Sequence, residues 1–155
     1  MTAVPIGFVC RRAAAAGLCV LLFGCGGNNP GHEEELRAWV RRGLEAAEDR
    51  DRGTLVDMIS PAYADGRGNR RDDIGDLLRF CFLRHDRLAL LTKVDEIRVI
   101  GETAAELTLE VGAAGTGGSA GFRAQALRLE LELTRADGDW QLVAARWGEL
   151  GEVPR

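Results

Sequence analysis

The chain has 155 residues, 46% of them hydrophobic and 28% charged, with 20 basic against 24 acidic side chains and a formal net charge of −4. That composition fits a folded globular domain and is too apolar for a disordered one. The acidic balance excludes general nucleic-acid binding, which needs a basic footprint to displace counterions. Aromatics at 6% offer no stacking platform for single strands.

Met1 to Arg12 holds no acid and ends in Arg11-Arg12, and the twelve residues from Ala13 to Gly24 are uncharged. A basic start followed by an apolar run of about 7–15 residues is the pattern of a secretory signal. The run is shorter than the roughly 20 residues a spanning helix needs. Leu22-Phe23-Gly24-Cys25 then resembles the lipobox of bacterial lipoproteins, in which a small residue precedes a cysteine that is acylated before cleavage. The resemblance implies that residues 1–24 are a signal peptide, that Cys25 carries fatty chains of the palmitate kind, and that 25–31 is a lipidated tether. Gly26, rather than Asp, at the second position implies delivery to the outer membrane, facing the periplasm. Two or more buried chains hold a protein stably where one does not.

Processing changes the charge and the cysteine arithmetic. Removing 1–24 takes two arginines and no acid, leaving 18 basic against 24 acidic residues and a net charge of −6. Of the four cysteines only Cys25 and Cys81 remain. With Cys25 acylated, Cys81 has no partner for a disulfide. Cys81 stands among Leu77, Leu78, Phe80 and Phe82, the setting of a buried small hydrophobe.

Periodicity predicts a first helix over 30–51. Asn29 caps it, Pro30 suits its first turn, and Leu36, Trp39, Val40, Leu44 and Ala47 form one apolar stripe. A short helix follows over 54–59, stopped by Ser60-Pro61, then a loop over 63–69 punctuated by two glycines. A third helix is predicted over 71–84, with Ile74, Leu77, Leu78, Cys81 and Phe82 on its buried side. The period then becomes two. Strands are expected over 88–100, 104–111, 127–134 and 140–147, with a turn at Gly101-Glu102 and a hairpin at Asp137-Gly138. Gly112 to Gly121 reads as a glycine-rich loop. Helices first and an antiparallel meander afterwards define an α+β fold with the helices packed on one face of a sheet.

This order, the Ser60-Pro61-Ala62-Tyr63 end of the second helix and the closing Asp137 to Trp147 strand resemble the nuclear transport factor 2-like superfamily. The resemblance covers 32–149, leaving 150–155 as a tail. It implies a cystatin-like roll, a curved sheet wrapping a helix around a pocket, and a homodimer through the open sheet face. It implies no activity, because isomerases, cyclases and plain binding modules share the cone.

Several residues invite a chemical reading. His32-Glu33-Glu34-Glu35 lacks the second histidine of a zinc helix, and position 36 is Leu36, so neither a metal nor another cofactor is expected. The glycine run lacks the Lys-Ser/Thr of a phosphate loop, though it has the length of a lid. His85-Asp86 is a base candidate or simply a cation at a helix C-terminus. Tyr63 is the sole tyrosine. Arg146 shares an alternating face with Trp140, Leu142 and Ala144, and meets an anionic ligand if that face lines the pocket. Tyr63, His85, Trp140 and Arg146 are therefore the candidate pocket residues. Three readings stay open: a membrane-anchored module that binds a small apolar ligand or an envelope protein, an isomerase- or cyclase-like enzyme using a pocket acid or His85, and a structural envelope protein.

Overall fold

A computed structural model describes residues 30–85, 87–116 and 123–151. The signal segment, Cys25 and most of the tether lie outside these residues, as do Asp86, the glycine-rich stretch 117–122 and the last four residues.

Helix α1 spans Pro30–Glu48, buries His32, Leu36, Val40 and Ala46, and packs on the first strand. It ends earlier than its periodicity predicts because Arg50 turns left-handed, at φ 61°. The amide of Asp51 reaches back to the Ala46 carbonyl at 2.7 Å, and that of Arg50 to Ala47 at 3.2 Å. This is the Schellman pattern with arginine where glycine is usual. The arginine has a reason to be there: its guanidinium donates to the Phe82 carbonyl of the third helix. Asp51 then caps α2, Arg52–Asp57, with one carboxylate oxygen accepting from the Thr54 amide at 3.0 Å and the other from its hydroxyl at 2.7 Å. Those bonds hold the Asp51 carboxyl below the usual carboxylate range.

Helix α3, Arg71–Arg84, starts with the Asp73 carboxylate accepting from the Arg70 amide at 2.8 Å. It leans on α2 through Gly75, where an added Cβ would stand 2.8 Å from Arg52 Nη2. Ile74 packs inward as expected and Phe82 is buried, but Leu77 is 52% exposed and joins Phe80 and Leu83, 57% and 73% exposed, on an outer stripe. The third helix has apolar residues on two faces, so periodicity alone could not tell which one is covered.

Four strands follow: β1 Arg87–Ile100, β2 Ala104–Thr116, β3 Arg123–Ala136 and β4 Asp139–Glu149. They form an antiparallel meander in the order β1-β2-β3-β4. Asp137 and Gly138 both take positive φ, 52° and 91°, as a two-residue type I′ hairpin demands. The first part of the expected glycine loop is strand instead, and 117–121 lie outside the described residues. Residues Gly112 to Gly115 stay in β2, paired with both β1 and β3. Pairing on both sides overrides the weak strand preference of glycine and alanine.

Each edge strand carries an irregularity, at Asp95 in β1 and at Val143 in β4. Such bulges bend a strand and increase its twist. The concave face presents Val94, Ile97, Leu107, Leu109, Leu131 and Leu133 to α1, with Leu36, Leu107 and Tyr63 almost wholly buried. The edge of β4 is sealed by the segment after α2. Leu142 donates to the Met58 carbonyl, and its own carbonyl accepts from Ser60, both at 2.9 Å.

Candidate functional site

A cavity of about 310 Å³ lies between the helices and the concave sheet face. The second half of α1 lines it with Trp39, Val40, Gly43, Leu44 and Ala47, which fall at helical spacing on the face turned to the sheet. Gly43 leaves room there: a Cβ at this position would stand 3.2 Å from the Met58 methyl, which fills the gap from beyond α2. Ile74 and Leu78 close the cavity from α3. The sheet contributes Thr92, Leu109, Val111, Leu129, Leu131 and Leu142, alternate residues that all point to one side. Among the described residues no lining side chain is ionisable. Two lining residues, Trp39 and Thr92, carry buried side-chain atoms, Nε1 and Oγ1, without a partner among the described residues.

None of the four residues singled out from the sequence lines this cavity. Tyr63 is buried in the loop after α2, and its hydroxyl donates to Asp65 Oδ2 at 3.3 Å. Burial, aided by the Asp65 charge, pushes the phenol well above its usual range. Burial also pulls the Asp65 carboxyl upward, but bonds from the Asn69 side chain and from the Asn69 and Arg67 amides outweigh it and leave that group below the usual range. The pair organises a turn. His85 caps α3, its amide bonded to the Cys81 carbonyl at 3.1 Å, and its Nδ1 is buried without a partner among the described residues. Cys81 is part-buried, and that burial raises its thiol pKa.

Trp140 anchors the start of α1. Its indole donates to Glu35 Oε2 at 3.0 Å, and its ring meets the buried His32 ring edge-on at 5.8 Å. Arg135 completes the clamp, with Nη1 2.7 Å from His32 Nε2 and Nη2 3.2 Å from Glu35 Oε1. An arginine only donates, so His32 Nε2 is the acceptor. Glu33 pairs with Arg37 and Glu34 with Arg41. The run that looked like part of a metal motif is thus spent on holding a helix, and the described residues contain no cluster of metal-binding side chains.

Arg146 lies on the opposite face from that expected. Val143 is the extra residue in β4: Leu142 pairs with Leu133 and Ala144 with Glu132. The alternation shifts by one residue there, so Trp140, Leu142, Ala145 and Trp147 contribute to the core while Arg146 faces outward. It sits 3.3 Å from Glu130 and 3.5 Å from Glu132. The outer face is a mosaic of charges. Lys93 bridges Asp95 and Glu110, Arg128 bridges Asp95 and Glu130, and Arg98 pairs with Glu106. The Lys93 bond holds the Asp95 carboxyl below its usual range.

The lining that sequence reasoning missed had one visible signal, a glycine at 43 inside an apolar helical stripe, where it costs about 0.5–1 kcal/mol relative to alanine.

No family model matches the chain, and no curated protein matches it. Solved structures do. A nuclear transport factor 2-like superfamily protein from Salmonella enterica superimposes with a TM-score of 0.66 at 17% identity, covering 80% of this chain and 94% of its own. A ketosteroid isomerase-like protein from Erwinia carotovora gives 0.64 at 12%, covering 77% and 96%. A domain of unknown function with a cystatin-like fold from Nostoc punctiforme gives 0.64 at 16%, covering 79% and 80%. Identities this low carry the architecture alone. The chain has the nuclear transport factor 2-like, cystatin-like α+β cone, with helices packed against a curved four-stranded sheet.

Proposed function

We propose that the protein is an envelope lipoprotein, anchored through Cys25 to the outer membrane, whose cone holds a small apolar ligand. The observation that carries the binding role is the cavity of about 310 Å³ with no ionisable side chain on its described lining. Pockets that bind small molecules start at about this size and are mostly apolar. General acid–base catalysis needs a titratable group within hydrogen-bond reach of the reacting proton. The lining supplies none, which favours binding over the isomerase- or cyclase-like alternative. The anchor rests on the Leu22 to Cys25 segment, and among the described residues no helix is long and apolar enough to cross a membrane.

Native mass spectrometry of the mature protein purified from the envelope tests the binding role. A reproducible small added mass is expected, and a bare chain in every preparation overturns it. A protein partner is the second reading, favoured by the exposed Leu77, Phe80 and Leu83 stripe of α3, and it shows as a second polypeptide in the same spectrum. For the anchor, Cys25→Ala abolishes incorporation of labelled fatty acid and blocks signal cleavage. Unchanged labelling rejects it.

A further inference from the structure

The second half of α3 carries an apolar surface that the fold leaves uncovered. Leu77, Phe80 and Leu83, 52%, 57% and 73% exposed, follow one another at helical spacing. Phe82 is buried on the other side of the helix and its carbonyl accepts from the Arg50 guanidinium, so the stripe looks outward. The acids of α3, Asp72, Asp73 and Asp76, all precede it. From Leu77 to Arg87 the chain holds three arginines, at 79, 84 and 87, against one acid, Asp86. All three arginines are exposed, and none is in an ion pair among the described residues, whereas Arg98, Arg128 and Arg146 of the sheet each are. The Arg84 guanidinium stands 5.0 Å from the centre of the Phe80 ring, a cation held against the apolar stripe.

Exposed apolar side chains bordered by unpaired arginines are the make-up of a helix that lies in a membrane interface, its rings and methyls below the headgroups and its cations on the phosphates. A protein on this stripe would have to bring matching acids to three positions, whereas a phospholipid surface presents phosphates at every one. We propose that the second half of α3 rests on an anionic phospholipid surface, with Phe80 and Leu83 inserted and Arg79, Arg84 and Arg87 on the phosphates. The orientation this gives the molecule rests on the reading of Cys25 as its anchor. Arg50, just past the end of α1, reaches Phe82, so the stripe lies beside the C-terminal end of α1, a helix of 19 residues and about 28 Å. From Cys25 to Pro30 the chain extends at most about 18 Å. An upright α1 would put either its start or the stripe out of reach of the membrane, so α1 lies along the surface.

The unacylated chain from Gly26 onward keeps every described residue. It is mixed with vesicles of phosphatidylglycerol or of phosphatidylcholine, and the bound fraction is read by sedimentation. Binding to phosphatidylglycerol is expected to exceed that to phosphatidylcholine about tenfold and to weaken as salt rises. Arg79→Gln, Arg84→Gln and Arg87→Gln together erase that preference. Phe80→Ser with Leu83→Ser lowers binding to both lipids about tenfold or more, and Arg146→Gln on the convex face changes neither. In the acylated protein reconstituted in phosphatidylglycerol, a nitroxide on Leu83→Cys, in a Cys81→Ala background, is expected to meet oxygen more readily than a water-soluble nickel chelate. The same label on Lys93→Cys shows the reverse. Equal binding to the two lipids overturns the proposal, as does binding indifferent to the stripe variants or a Leu83 label in water. A polypeptide that co-purifies with the natural chain and is lost from the Phe80→Ser, Leu83→Ser variant overturns it in favour of a protein partner. Absence of fatty acid at Cys25 overturns the anchor instead, and the unacylated chain still decides the stripe.

Discussion

A glycine in the middle of a helix is a local sacrifice, and at Gly43 the sacrifice keeps space. Alanine there raises helix propensity, worth up to about 1 kcal/mol. Its methyl group meets the flexible end of Met58 at 3.2 Å, which must give way by a few tenths of an ångström beside the cavity. Gly43→Ala is therefore expected to leave the urea midpoint within about 1 kcal/mol of the parent or slightly above it, while weakening retention of any bound small molecule. Loss of stability with unchanged binding would show that Met58 has nowhere to move. The arginine at position 50 shows the converse economy, accepting a left-handed backbone in return for a bond to a distant carbonyl.

At the scale of elements the three helices are held in different ways. The start of α1 is clamped to the β3–β4 hairpin by Arg135, Glu35 and Trp140. Helix α3 rests on α2, tied by Arg52 Nε to the Gly75 carbonyl at 2.7 Å and by Arg71 Nε to the Val56 carbonyl at 3.0 Å. Segments with little buried contact open first in hydrogen exchange. Amides of α3 are thus expected to exchange ahead of those of α1 and the central strands, and Arg52→Ala to speed α3 selectively. A uniform change over all elements would refute this order.

Much of this layer was legible. The α3 boundaries, the short α2 and the Asp137-Gly138 hairpin follow from caps, glycines and period, and so does the two-residue alternation of β2 and β3. The inserted Val143 was not legible, because nothing in Leu142-Val143-Ala144-Ala145 distinguishes an extra residue from a regular one. It is a property of the pairing with β3, and it moved Arg146 to the outside. The same limit hid the cavity. Each lining residue is an ordinary core residue by type, and only the gap left between α1, Met58 and the sheet makes them a site.

The whole molecule has a stability profile whose two flanks arise in different places. Asp51 and Asp65 have pKa values lowered from 3.8, so the stability they confer is complete above that pH and is lost as the pH falls below it. Tyr63 is shifted upward from 10.0, so its contribution is complete below pH 10 and is lost as the pH rises beyond it. Urea midpoints against pH are expected to fall off at both ends. Tyr63→Phe removes the dependence at the alkaline end that this phenol supplies and leaves the acid limb in place. An alkaline limb unchanged by Tyr63→Phe would assign it to other groups.

The convex side of the sheet carries one further consequence. Glu110, Lys93, Asp95, Arg128, Glu130, Arg146 and Glu132 run across it with opposite signs mostly side by side, each cation shared between two acids. Three cations stand among four acids, so most of the charge cancels within a few ångströms, well inside the screening distance of about 8 Å at physiological salt, and one negative charge is left over. The surface is then hydrated and only weakly negative, and it attracts no polyanion from a distance. Whatever settles on it has to reproduce that checkerboard in complement, so this side of the cone is shielded from casual adhesion by its own pattern.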